Sequence, residues 1–237
     1  MTTQRAAALD KPGGTFDESR DELLHLSTRA RVFRRRLMEM PGTIICKELL
    51  GDGASQRWRH EVKILERLTG IAGIPTLAHA DVPPHVIALQ DSGCVPLKRA
   101  LGARPPETQA LLDLALDLAN IISAVHQRGV VHKDINPANI LLAGPQHKPV
   151  LVDFHLATTF AEAQPNFTHY SEIVGTLDYL APEQTGRTGR SVDLRADLYA
   201  LGATLYELAT GHLPFASSDP LQLIHDILAR TPTSRLM

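Results

Sequence analysis

A short polar loop between two apolar runs constrains this chain more than any other feature. It covers residues 132–139 and has the sequence HKDINPAN. Within it, Asp134 is followed five residues later by Asn139, and Asp153 comes fourteen residues after that, at the end of another apolar run. An aspartate can orient or deprotonate an attacking hydroxyl group, and carboxylate and amide oxygens are ligands for Mg²⁺. The spacing therefore predicts a catalytic Asp134 beside a magnesium site formed by Asn139 and Asp153.

The same loop also admits a purely structural interpretation. In that interpretation His132, Asp134 and Asn139 only hold the loop together by hydrogen bonds. Asp153 argues against it, because a carboxylate at the end of a buried strand is costly to bury unless it meets a cation.

Four ordered motifs resemble those of protein kinases. The pattern HxDxxxxN at 132–139, followed by DF at 153–154, is similar to the kinase catalytic loop and the metal-binding aspartate. The run GTLDYLAPE at 175–183 resembles the end of an activation segment. The run DLRADLYALG at 193–202 resembles the helix whose aspartate, here Asp197, anchors the catalytic loop. The likeness extends over nearly the whole chain.

The resemblance implies an α+β bilobal fold with a small β-rich N-lobe and a larger α-helical C-lobe. We expect a flexible lead-in over residues 1–20, the N-lobe over 21–90 and the C-lobe over 91–237, truncated before its final helices. Apolar patterns agree with a strand-rich part followed by a helical part. The predicted strands are 43–47, 86–89 and 150–152, and the predicted helices are about 58–68, 105–125, 193–210 and 220–229.

The resemblance also implies ATP and Mg²⁺ as cofactors. Lys47 stands where kinases place the lysine that contacts the α- and β-phosphates, and Glu61 stands where its ion-pair partner lies. Solvated surface charges are the alternative for both. Thr176 stands where serine/threonine kinases keep a threonine near the catalytic aspartate, which favours Ser or Thr as acceptor. The other residues predicted to contact the nucleotide are Val32, Cys46, Leu89, Gln90, Ser92 and Leu141.

Several positions depart from the kinase pattern. The three glycines of the phosphate-binding loop fall on His25, Ser27 and Ala30, and side chains there obstruct the approach of backbone N–H groups to phosphate. Asn136 stands where serine/threonine kinases carry a lysine, and His155 replaces the glycine after Asp-Phe. These departures predict weak nucleotide binding or slow turnover.

Three functions remain open at this point. The first is a kinase that transfers the γ-phosphoryl group of ATP to a protein Ser or Thr; the second is a pseudokinase that senses ATP or docks a partner. The third is a small-molecule kinase of the aminoglycoside-phosphotransferase type, which lacks the APE segment found here at 181–183. The motifs at 132–139 and 182–187 more narrowly resemble the N-terminal kinase domain of large bacterial signalling proteins with downstream ATPase and histidine-kinase modules.

Composition excludes several other classes. The formal net charge of −2 gives no footprint for nucleic acid. Two cysteines are too few for a disulfide framework, and the polar first twenty residues hold no signal peptide. The most apolar stretch, 111–125, is interrupted by polar residues, so no membrane segment is predicted. We expect a cytoplasmic protein with a protein substrate.

Overall fold

A computed structural model describes the chain over residues 16–37, 42–102, 105–161 and 177–232. The chain divides into two units. Of the described residues, the first comprises those up to 59 together with 77–91, and the second comprises 60–76 together with those from 92 onward.

A four-stranded antiparallel sheet, in the order β1-β2-β3-β4, forms most of the first unit. Its side chains alternate between two faces, as the pleat of a strand requires. Phe33, Cys46 and Ala88 are directly paired across three strands and lie in the core on one face. The strands are β1 (Asp21–Leu26), β2 (Ala30–Arg36), β3 (Thr43–Leu49) and β4 (Val86–Gln90), and helix α1 (Ala54–Arg67) follows β3.

Helices and short strands form the second unit. The longest helix, α3, contacts both α4 and β8, and its buried face includes Leu118, Ile122 and Val125. Strand β7 pairs with β5 and β8, and β6 pairs with β9. The elements are β5 (Val95–Pro96), α2 (Leu97–Leu101), α3 (Thr108–Gln127), β6 (Val130–Val131), β7 (Ile140–Ala143), β8 (Lys148–Leu151), β9 (Thr158–Thr159), α4 (Arg195–Thr210) and α5 (Pro220–Ala229).

Helix ends follow local sequence signals. Gly129 and Gly211 come just after α3 and α4 with φ of 70° and 72°, a backbone conformation that glycine adopts without strain. Helix α4 begins two residues later than predicted, since the carboxylate of Asp193 accepts the N–H of Arg195. Helix α5 begins at the predicted Pro220, and the preceding Asp219 accepts the N–H of Leu221.

One described helix, α3, is long and apolar enough to cross a membrane by length and composition. It also carries Asp113 and Asp117, and its buried face packs within the second unit. The core helix of a globular protein can meet the same criterion of length and composition, so the absence of a membrane segment stays a prediction.

Candidate active site

The catalytic loop is fixed to helix α4 by one buried aspartate. Asp197 is fully buried and accepts hydrogen bonds from the backbone N–H groups of His132 (2.9 Å) and Lys133 (2.8 Å). The Nε2 atom of His126 lies 2.8 Å from the same carboxylate. The anchoring role predicted for Asp197 is confirmed.

His132 connects the loop to the strand that precedes Asp153. Its Nε2 lies 3.1 Å from the carbonyl oxygen of Val152, and its Nδ1 accepts the N–H of Asp134 at 3.2 Å. These two partners select the tautomer with the proton on Nε2. The ring also packs edge-on against Phe154, with centroids 4.6 Å apart, so the histidine holds both halves of the site in place.

The carboxylate of Asp134 is held by two side-chain amides. Asn136 Nδ2 donates to Oδ1 at 3.1 Å, and Asn139 Nδ2 donates to Oδ2 at 2.7 Å. Both amides also donate to the Asp134 carbonyl oxygen. Asn136 additionally accepts the N–H of Ala138, which begins the short 3₁₀ turn at Pro137–Asn139. Asp134 therefore has a fixed orientation before any substrate arrives.

Burial changes the protonation chemistry of this loop. Desolvation raises the pKa of Asp134; His132 opposes that effect, while the nearby Asp153 carboxylate adds to it. Desolvation also lowers the pKa of Lys133, against the attraction of Asp197. A raised carboxyl pKa is suited to a group that accepts a proton during a reaction.

Two residues of the site have left-handed backbone. Lys133 has φ of 69° and Asp153 has φ of 68°. This region costs a residue with a side chain on the order of 1 kcal/mol or more, and it persists where surrounding contacts enforce it. At Lys133 the neighbouring contacts to Asp197 do so, and at Asp153 the anchored Phe154 does so.

Two of the predicted metal ligands are neighbours. The N–H of Val152, next to Asp153, donates to the carbonyl oxygen of Asn139 at 2.9 Å. Because the Asn139 amide nitrogen is directed to Asp134, its amide oxygen is the atom that a metal ion would take. Asp134, Asp153 and His155 also present possible ligand atoms within 4.8 Å of one another. Oxygen donors in this arrangement fit a divalent cation.

Gln184 joins the catalytic loop to the APE motif at 181–183. Its Nε2 donates to the carbonyl oxygen of Lys133 at 2.9 Å, and its Oε1 accepts the N–H of Ala181 at 3.1 Å. Sequence reasoning missed this residue, and also missed His126. The bond from Gln184 to Lys133 and the contact of His126 with Asp197 each join residues more than fifty positions apart, so no local sequence signal indicated them.

Lys47 and Glu61 are buried, one on β3 and the other on α1. Their exposed fractions are 9% and 3%. Burial excludes the alternative that they are solvated surface charges, since charged side chains are rarely buried without a partner. Their predicted pairing and the phosphate contact of Lys47 stay predictions.

The residues predicted to contact the nucleotide do not share one face of the first sheet. Val32 and Lys47 are directly paired, so their side chains lie on the same face. Cys46 lies on the opposite face, in the core, and burial raises the pKa of its thiol to about 11. The predicted contact of Cys46 with a nucleotide beside Lys47 is therefore not supported. Because side chains alternate along a strand, the residue of β3 that shares the face of Lys47 is Ile45.

The remaining predicted contacts lie at exposed or half-buried positions. Leu89 and Gln90 end β4, and Leu141 lies on β7 in the second unit. Ser92 is exposed just after β4. Their contacts with a nucleotide stay predictions, and Thr176 lies outside the described residues.

The turn between β1 and β2 uses its amide groups internally. The hydroxyl of Ser27 accepts the N–H groups of Arg29 (3.3 Å) and Ala30 (3.0 Å). Ser27 also forms a backbone hydrogen bond to the carbonyl oxygen of Ala30 at 2.9 Å. This is the stretch in which kinases carry glycines, and here its donors bind a side chain.

Comparison with protein families decides the wider assignment. A family model described as the protein kinase domain matches residues 45–236. The chain belongs to the protein kinase family. The predicted α+β fold class, with an antiparallel-sheet N-lobe and a helical C-lobe, is thereby confirmed.

Three curated proteins to which the chain is similar are bacterial serine/threonine-protein kinases. PknB of Mycobacterium tuberculosis is 28% identical over 221 residues, which is 90% of this chain and 33% of that protein. AfsK of Streptomyces griseus is 32% identical over 161 residues, or 68% of this chain and 18% of that protein. Pkn1 of Myxococcus xanthus is 36% identical over 165 residues, or 68% of this chain and 23% of that protein. The chain thus spans a third or less of the length of each.

Proposed function

We propose that this kinase domain transfers the γ-phosphoryl group of ATP to a Ser or Thr hydroxyl group of a protein. The observation that carries the proposal is the fixed carboxylate of Asp134, held by Asn136 and Asn139 and anchored through Asp197. The names of the relatives, all serine/threonine-protein kinases, support this class of acceptor.

In the proposed reaction, the hydroxyl oxygen of the acceptor attacks the γ-phosphorus and the bond from that phosphorus to the ADP oxygen breaks. Asp134 orients the hydroxyl group and accepts its proton on a carboxylate oxygen. Asn139 and Asp153 would hold Mg²⁺, which neutralises phosphate charge. Lys47, with Glu61 as its partner, keeps its predicted role toward the α- and β-phosphates.

The wider setting of the domain is also a proposal. The multidomain resemblance favours a longer signalling protein with ATPase and histidine-kinase modules, acting in the cytoplasm. The relatives are three or more times as long as the matched region, which agrees with additional modules without naming them.

A pseudokinase is the second candidate, favoured by the turn between β1 and β2. The N–H groups of Arg29 and Ala30 bind Ser27 and so do not point at a phosphate. In this function the domain would bind ATP and signal through its occupancy rather than through turnover.

The test is transfer of label from γ-labelled ATP to a basic protein and to the chain itself, followed by phosphoamino-acid analysis. We expect label on Ser or Thr and a loss of about 10²–10⁴-fold in Asp134→Asn, because the proton acceptor is removed. Asp193→Asn, an exposed aspartate paired with Arg195, is the matched control and should keep full activity.

Equal transfer by wild type and Asp134→Asn would contradict the proposed role of Asp134. Absence of transfer together with magnesium-dependent ATP binding would instead favour the pseudokinase. Label on tyrosine alone would contradict the proposed acceptor class.

A further inference from the structure

His155 brings an imidazole ring to the predicted metal site. Its Nδ1 lies 2.7 Å from Oδ1 of Asp153, and ligand atoms of His155, Asp153 and Asp134 lie within 4.8 Å of one another. Asp134 is buried, whereas the side chains of Asp153 and His155 are one third and one quarter exposed. The site therefore offers an imidazole nitrogen and two carboxylates, with an opening to solvent.

The local backbone explains why the ring lies there. Asp153 is left-handed, and Phe154–Leu156 then forms a 3₁₀ turn whose first residue is fully buried. The turn directs residue 155 back beside Asp153, so that the two side chains meet. His155 is not among the described residues with positive φ, so its backbone does not require glycine. Only its side chain distinguishes this position from the glycine of the kinase pattern.

The ligand chemistry favours a different class of metal from Mg²⁺. Magnesium takes oxygen ligands almost exclusively and keeps several waters, whereas imidazole suits first-row transition metals. We propose that His155 ligates the metal ion held by Asp153, beside the carboxylate of Asp134, and that this site prefers Mn²⁺ to Mg²⁺.

This inference rests on the proposed function, since the metal would occupy the site that serves phosphoryl transfer. It goes beyond that function by naming a ligand that the kinase pattern does not contain and the class of metal that follows. The competing possibility is that His155 only hydrogen-bonds to Asp153 and leaves the metal to oxygen ligands.

The first measurement is binding of Mn²⁺ alone to the nucleotide-free chain at neutral pH. Bound Mn²⁺ is examined by electron spin-echo envelope modulation, which detects ¹⁴N of a ligating imidazole. We expect ¹⁴N modulation in the wild type and its loss in both His155→Gly and His155→Gln. The matched control is His225→Gln, because His225 also neighbours an aspartate, at 3.4 Å, but on an exposed part of α5.

The second measurement is displacement of Mn²⁺ by Mg²⁺. The Mn²⁺-over-Mg²⁺ preference should fall by roughly tenfold or more in His155→Gly, while Mg²⁺ affinity changes little. Circular dichroism establishes that each variant is folded, and His155→Gln serves if the glycine variant is not. Absence of ¹⁴N modulation in the wild type, its persistence in His155→Gln, or an unchanged preference would each overturn the proposal.

A transfer assay with each metal separates this inference from the proposed function. Nitrogen-ligated Mn²⁺ without transfer under either metal would contradict the kinase function alone. Transfer with Mg²⁺ and no nitrogen ligation would contradict the role of His155 alone.

Discussion

Two segments of this chain contain backbone N–H groups in regions that kinases use for catalysis: the turn between β1 and β2, and the loop at 132–139. The hydrogen-bond acceptors of these N–H groups differ between the two segments. In the turn, one exposed hydroxyl, that of Ser27, accepts two neighbouring N–H groups. In the loop, the N–H groups of His132 and Lys133 donate to Asp197, which is buried and lies on a distant element. A local, solvated bond is easily exchanged for another partner, whereas a buried one is costly to leave unmade. The loop should therefore tolerate substitution far less than the turn.

The largest effect should come from Asp197→Ala. The substitution leaves the buried N–H groups of His132 and Lys133 without acceptors, and we expect a loss of about 3–5 kcal/mol in the free energy of unfolding. Denaturation in urea measures it. Asp193 lies two residues before the same helix and its side chain is largely exposed. Asp193→Ala should therefore lower the free energy of unfolding by about 1 kcal/mol or less.

Equal losses of stability in these two variants would contradict the role of Asp197 as the buried anchor of the catalytic loop. If Asp197→Ala does not fold, Asp197→Asn keeps one acceptor oxygen and should show an intermediate loss.

An intermediate effect should come from Ser27→Gly. Without the hydroxyl, the N–H groups of Arg29 and Ala30 become available to phosphate, and we expect ATP to bind roughly 2- to 10-fold more tightly. The greater freedom of glycine should reduce stability by about 0.5–1 kcal/mol. Calorimetric titration with a non-hydrolysable ATP analogue measures the affinity.

Ser19→Gly is the matched control, because Ser19 also bonds within an exposed turn, to Asp17. It should lose stability without gaining affinity. Unchanged or weaker nucleotide binding by Ser27→Gly would show that this turn does not limit affinity.

The smallest effect concerns the core of the first sheet, where we expect the thiol of Cys46 to be protected from alkylation. Cys46 is fully buried and burial raises the pKa of its thiol to about 11, whereas Cys94 is half-buried. The thiolate is the reactive form, so alkylation near pH 8 should modify Cys94 first and Cys46 only in denaturant. Peptide mass spectrometry assigns the modified residue. Rapid modification of native Cys46 would indicate that the core of the first sheet opens as readily as the turn.

Much of this protein was predictable because its signals are local in sequence. The spacing of Asp134, Asn139 and Asp153 predicted one site. In the structure Asn139 hydrogen-bonds both to Asp134 and to Val152, the residue before Asp153. Apolar periodicity predicted the long helices, including the start of α5 at Pro220. The two-residue strands β6 and β9 had no such signal, because so short a segment shows no periodicity.

Sequence determined the kinase family, the main elements and the anchoring role of Asp197, since motif spacing and apolar patterns depend on residues close along the chain. Tertiary structure alone decided that Cys46 faces the core and that Gln184 bonds to Lys133. It also decided that His155 meets Asp153, where sequence had indicated only a missing glycine. These outcomes depend on which face of a strand is buried and on how a turn is anchored, and both are set by packing between residues far apart in sequence.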